Sequence, residues 1–240
     1  MVSPSDKNYI CQQLSAIERT ENIKILHAIE SGSRAWGFPS QDSDFDIRFI
    51  YVRPQKNYLS IDIPKDDINT PIVDDAVLNA PFDLAGWDLR KTLKLLLRSN
   101  AIVYEWLLSP IQYVSDSSFI EQLKSFYIES ANLNAITYHY YSIANGLWQD
   151  GVNANKKLTV KKYLYVIRPV LCLLYIKRHQ LPPPMDIASL IAGLTLTPSI
   201  IETLQQLIDT KLQLTESHAI PTFPILDKLI DQCLSHRFEK

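Results

Sequence analysis

Paired cysteines, clustered histidines, one-signed charge and long apolar runs are all missing from this sequence. Cys11, Cys172 and Cys233 are odd in number and widely scattered, which excludes a disulfide framework and gives no zinc-type spacing. His27, His139, His179, His218 and His236 lack ligand spacing as well. A formal net charge of −2 produces no global field that would draw in nucleic acid, although a local basic face remains open. No signal peptide and no apolar run of spanning length is present, so a soluble, cytoplasmic protein without membrane contact is expected. What remains is ordinary globular material. With 46% hydrophobic and 21% charged residues over 240 positions, the chain can bury a proper core in one large or two small domains.

The informative stretch is 32–51, GSRAWGFPSQDSDFDIRFIY. An apolar run, Ile23 to Ile29, leads into it as a strand or a helix end. Gly32-Ser33 then opens a turn, since glycine accepts backbone angles closed to other residues. From Asp44 to Phe49 polar and apolar residues alternate strictly, the period of a half-buried strand. Asp44, Asp46 and Arg48 therefore share one face, and Phe45, Ile47 and Phe49 enter a core. Two neighbouring carboxylates repel unless a positive charge lies between them. Mg²⁺ suits that place because it takes hard oxygen ligands, often a carboxylate or two plus substrate phosphates. Exposed amides of the turn and the Ser33 hydroxyl suit a phosphate. A nucleoside triphosphate site is the reading.

Gly32-Ser33, a ten-residue gap and Asp44-x-Asp46 on a strand resemble the core motif of the DNA polymerase β-like nucleotidyltransferase superfamily. The longer text resembles its RlaP-type branch, which is linked to RNA repair. Further matches are Gly86-Trp87-Asp88-Leu89-Arg90-Lys91, Ser99-Asn100, Glu105-Trp106-Leu107-Leu108-Ser109-Pro110 and Lys162 to Pro169. The resemblance implies Mg²⁺ or Mn²⁺ as cofactor, an NTP as donor, and helix-borne basic residues such as Lys162 and Arg168 against the triphosphate. It also implies a third carboxylate on a later strand. Asp83, between Phe82 and Leu84, is the first choice, and would help hold the metal that activates the attacking hydroxyl. Asp88 is the rival, with an N-cap as its plain structural role.

Elsewhere the text reads as scaffold. Ser3-Pro4 starts a helix over 3–20. After Arg53-Pro54, a loop-rich excursion carries short strands near 59–63 and 67–72. A helix beginning at Asp88 shows an apolar stripe of Leu89, Leu93, Leu96 and Leu97, and another follows over 100–108. From 116 onward the sequence is helical, with segments at 116–130, 132–149, 159–179, 186–193, 198–214 and 222–238. A core stripe of Tyr138, Tyr141, Ile143, Ala144, Leu147 and Trp148 is expected, and a basic loop at 151–159 containing Lys156-Lys157.

An α+β architecture follows: a small mixed-sheet nucleotidyltransferase core over 1–110 and an all-helical domain over 111–240, with the active site expected in the cleft between them. Asp44, Asp46 and Asp83 are the expected catalytic and metal-holding residues. Gly32 and Ser33 would bind phosphate, while Arg34, Arg48, Lys162 and Arg168 offset charge on the leaving group. The expected reaction is NMP transfer to an acceptor hydroxyl or phosphate. RNA ends suit the resemblance, but protein and small-molecule acceptors use the same donor chemistry. The rival class is an NTP-sensing or antitoxin-like binding protein on the same fold.

Overall fold

The computed structural model describes residues 2–62, 64–153, 159–213 and 223–235. Its first helix, α1 (Pro4–Glu21), starts where the sequence indicates. Ser3 accepts from the Asp6 amide, Asp6 bonds back to the Ser3 amide, and Asn22 ends the helix in the left-handed region. The apolar run after it is a strand, β1 (Lys24–Glu30). The expected Gly-Ser turn is the first turn of a short helix, α2 (Gly32–Trp36). The alternating segment forms β2 (Phe45–Val52).

The excursion differs from expectation. No strand occupies 59–62, and Ile63 lies outside the described residues. The excursion instead holds a short helix, α3 (Gln55–Tyr58), and two three-residue strands, β3 (Asp67–Asn69) and β4 (Val73–Asp75). Next come β5 (Ala80–Asp88), α4 (Leu89–Leu97), α5 (Ala101–Leu108), β6 (Gln112–Ser115) and α6 (Ser117–Ser130). On α4 the buried residues are Thr92 and Leu96, while Leu93 and Leu97 are exposed. The leucine stripe is therefore narrower than the sequence suggests.

The strands join in the order β3-β5-β2-β1-β6, with β4 also on β5. β1 is antiparallel to β2 and β6, and β2 is parallel to β5. Phe45, Ile47, Phe49, Phe82 and Leu84 form a core with Ile10 and Leu14 of α1. Gly86 lies opposite Phe49, and a Cβ there would meet the Phe49 ring at 2.1 Å. The missing side chain is thus the space that ring fills.

Contacts divide the chain into two compact units, one of Met1–Ala35 with Ser43–Ser130 and one of Trp36–Asp42 with Ala131–Lys240. The first reaches past residue 110 because β6 pairs with β1. The second contains α7 (Leu133–Asn153), α8 (Val160–His179), α9 (Ile187–Gly193), α10 (Pro198–Gln213) and α11 (Pro224–Ser235). On α7 the buried row is Ile136, Tyr140, Ala144 and Trp148, at strict four-residue steps, and Tyr138 and Ile143 are exposed. The expected core stripe was rotated, because Tyr138 and Ile143 are apolar by type yet face outward. Lys156 and Lys157 lie outside the described residues, as do parts of the helices expected at 198–214 and 222–238. Among the described residues no helix is long and apolar enough to cross a membrane.

His27 on β1 is 1% exposed, and its Nε2 lies 3.1 Å from the Trp106 carbonyl. Burial lowers its pKa, against the opposing pull of the Trp106 and Val114 carbonyls. A folded-state pKa below the ordinary value means that the unfolded chain binds the extra proton first. The stability is present above the unfolded pKa and is lost as pH falls. The melting temperature should therefore fall between about pH 7.5 and pH 5.5. His27→Leu should start lower and show a shallower slope; an unchanged slope would contradict a neutral, buried His27.

Candidate functional site

Parallel pairing sets Asp46 of β2 directly opposite Asp83 of β5. Residues opposite one another on neighbouring strands share a face, so the two carboxylates lie side by side. Arg48 stands two residues along from Asp46 on that face. Its Nη2 donates to Asp46 Oδ1 and its Nη1 to Asp83 Oδ2, each at 2.9 Å. The positive charge required between two carboxylates is here a guanidinium. All three side chains are largely but not wholly covered, with 29% of Asp46, 21% of Arg48 and 15% of Asp83 exposed. Burial pushes the Asp83 carboxyl above its ordinary range; Arg48 opposes this and the Asp46 charge adds to it.

The backbone of Asp46 is held as firmly as its side chain. Its amide donates to Glu30 Oε1 at 2.9 Å, and its carbonyl accepts from the Ser31 amide at 2.8 Å. Gly32 has φ +60°, and a Cβ built on it would lie 2.2 Å from Asp46 Oδ2. Glycine is needed there twice over, for the left-handed angle and for the approach of the carboxylate.

Of the expected phosphate contacts, Ser33 and Arg34 in this unit are turned to the protein itself. Ser33 is 6% exposed and donates to the Ser43 hydroxyl at 3.1 Å. Arg34 donates from Nε to the Asp44 carbonyl at 2.9 Å and from Nη2 to the Ser43 carbonyl at 2.6 Å, with its guanidinium 3.7 Å above the Phe45 ring. Arg34 thus clamps the backbone that carries Asp44, which is itself half-buried just ahead of β2.

Asp88 stands at the far end of β5, 1% exposed. It accepts from the Arg90 amide at 2.8 Å as the N-cap of α4 and takes the Tyr58 hydroxyl at 2.9 Å. In the second unit Lys162 is exposed. Arg168 is 3% exposed; its Nε and Nη2 donate to the Met185 carbonyl at 3.0 and 2.8 Å, and its guanidinium lies 4.4 Å from the Trp36 ring centroid.

Sequence reading missed Glu30 and Tyr113. Glu30, 0% exposed, takes the Tyr113 hydroxyl on Oε2 at 2.5 Å. Burial pushes its pKa up to about 7, although the Tyr113 and Asp46 bonds and the Arg34 charge pull it down. An acid ending an apolar strand immediately before Ser31-Gly32 was the available signal.

Among the described residues no group of three or more His, Cys, Asp or Glu is arranged to hold a metal ion, and the Arg48 guanidinium is what joins Asp46 to Asp83. The donor chemistry nevertheless fits a hard divalent cation: paired carboxylate oxygens on one strand face, with a side-chain-free Gly32 against them.

Comparison with known proteins gives three findings. Residues 7–240 match the family RlaP, described as the RNA repair pathway DNA polymerase beta family. YcgL of Bacillus subtilis (strain 168), described as uncharacterised, is 40% identical over 205 residues, 85% of this chain and 76% of that protein. The crystal structure of a nucleotidyltransferase-like protein from Exiguobacterium sibiricum 255-15 aligns over 95% of this chain and 73% of its own. That match has 11% identity and a TM-score of 0.38, too loose a likeness to carry an argument.

The N-cap geometry of Asp88 gives a stability prediction. Asp88→Ala should lower the unfolding free energy by about 1–2 kcal/mol, the loss of a cap and of the acceptor for Tyr58. Urea titration measures this, and a neutral effect would contradict the capping role.

Proposed function

The chain belongs to the RNA repair pathway DNA polymerase beta family, and from that premise we propose that it is a metal-dependent nucleotidyltransferase that moves an NMP from an NTP to an acceptor hydroxyl or phosphate. The observation that carries this reading is the in-register pair Asp46 and Asp83 beside the Gly32 turn. An acceptor oxygen forms the new bond to the α-phosphorus. The bond from that phosphorus to the oxygen bridging toward the β-phosphate breaks, and pyrophosphate leaves with the electron pair.

Asp46 and Asp83, with Asp44 beside them on the approach to β2, would hold Mg²⁺ or Mn²⁺. The cation, when bound, neutralises triphosphate charge and makes the acceptor hydroxyl easier to deprotonate. Gly32 leaves the turn amides open to phosphate oxygens, with Ser33 as a further donor. Arg48 carries charge from the departing pyrophosphate once the carboxylates no longer claim it. Arg34 and Arg168 act at one remove, Arg34 by holding the Ser43 and Asp44 carbonyls and Arg168 by holding Met185 and Trp36. An RNA end is the first acceptor to test, since the family is named for RNA repair.

A second reading, a non-catalytic NTP sensor, draws on the same triad. Arg48 already relieves the repulsion between the two acids, so retained carboxylates alone do not demand catalysis.

The two readings separate on incubation with each radiolabelled NTP and Mg²⁺ or Mn²⁺ against RNA, protein and small-molecule acceptors. Wild type should release pyrophosphate and label one acceptor class. Asp46→Asn should cut the rate about a thousandfold or more with the fold intact by circular dichroism. Transfer within a few-fold of wild type would sink the carboxylate assignment. Nucleotide binding with no pyrophosphate release from any acceptor would leave the sensor reading.

A further inference from the structure

Asp46 begins the exchange with β1 at a point where the ladder has run out. The paired register ends with Glu30 opposite Ile47, and beyond it the Ser31 amide goes to the Asp46 carbonyl while the Asp46 amide goes to a side chain. The Glu30 carboxylate takes that amide. This is an expensive way to satisfy one N–H. A carboxylate removed wholly from water is costly unless it is well bonded.

The fold meets that cost by engaging every polar group of Glu30. Oε1 takes the Asp46 amide and Oε2 the Tyr113 hydroxyl. The Glu30 amide donates to the Ile111 carbonyl at 2.9 Å, and its carbonyl accepts from Ser109 Oγ at 2.7 Å. Ser109 is the penultimate residue of the Glu105–Pro110 motif, and Tyr113 lies on β6 just beyond it. The motif has no other tie to the proposed chemistry, and here it stands directly behind an acidic residue of the site.

We infer that Glu30, braced by Tyr113 and Ser109, is the positioning residue that aims Asp46. This inference rests on the proposed transfer reaction only in assigning Asp46 its work. Glu30 touches neither nucleotide nor acceptor. It holds the Asp46 backbone so that the carboxylate stands against Gly32 and opposite Asp83, and the preorganisation of that oxygen is its contribution.

Three variants test it: Glu30→Met, which keeps volume but removes the acceptor; Glu30→Gln, which keeps an oxygen for the Asp46 amide; and Tyr113→Phe, which removes only the brace. Glu30→Met should speed hydrogen exchange at the Asp46 amide and lower kcat about tenfold or more, with KM for the NTP within about threefold. Glu30→Gln should restore kcat to within about threefold of wild type. Tyr113→Phe should fall between them and add nothing in a Glu30→Met background. Unchanged kcat in Glu30→Met, or equal damage from Met and Gln, overturns the inference.

If Glu30→Met fails to fold, a severalfold lower kcat at unchanged KM in Tyr113→Phe supports the inference, and wild-type kcat overturns it. If wild type transfers no NMP, the proposed function fails and Mn²⁺ affinity by paramagnetic resonance becomes the readout. Weakened binding in Glu30→Met with retention in Glu30→Gln supports the positioning role. Equal affinities, or no Mn²⁺ binding by wild type, overturn it.

Discussion

Two carboxylates on adjoining strands repel, and the first unit is arranged around that repulsion. The parallel pairing of β2 with β5 sets Asp46 against Asp83. Parallel neighbours cannot be joined by a tight hairpin. The stretch between them, with α3, β3 and β4, is the crossover that parallel pairing requires. Its strands then pair with β5, so the connection also covers the outer side of the strand it delivers. Arg48 supplies the charge that lets both acids remain partly buried.

Much of this was legible in the sequence, where local pattern and tertiary use agree. The alternation is a strand in both from Phe45 onward, and the helix starts at Ser3 and Asp88 are the same in both. The α+β class follows from those elements, and the motif around Gly32 already pointed to the family. The rest needed partners that no local pattern names. β6 is four residues long and exists by pairing with one side of β1. On α7, polarity alone could not separate Tyr140, which is buried, from Tyr138, which is not. Glu30 looked like the end of an apolar run, and only the strand opposite shows that its carboxylate takes the Asp46 amide.

The arginines show a different limit. Arg34 and Arg168 were both expected to face phosphate, and both direct their donors to main-chain carbonyls and their flat faces to aromatic rings. A guanidinium has five donors in a rigid plane and is less strongly hydrated than an ammonium. It can therefore serve as a buried rivet as readily as an anion clamp. Residue type reports the capacity to bind an oxygen, and not whose oxygen it will be.

The grouping of Trp36–Asp42 with the helical unit bears on how such a protein can be taken apart. This segment lies between Gly32 and Asp44, yet its anchors are far along the chain. Arg168 covers Trp36, the fully buried Lys211 donates to Ser40 Oγ at 2.8 Å, and Ile187 touches the space beside Gly37. A gene cut near residue 130 would yield a sheet fragment carrying a tryptophan and a phenylalanine stripped of their packing. The two halves are not cassettes that recombination could exchange. A seven-residue stitch of one, Trp36–Asp42, is sewn into the chain of the other between Ala35 and Ser43.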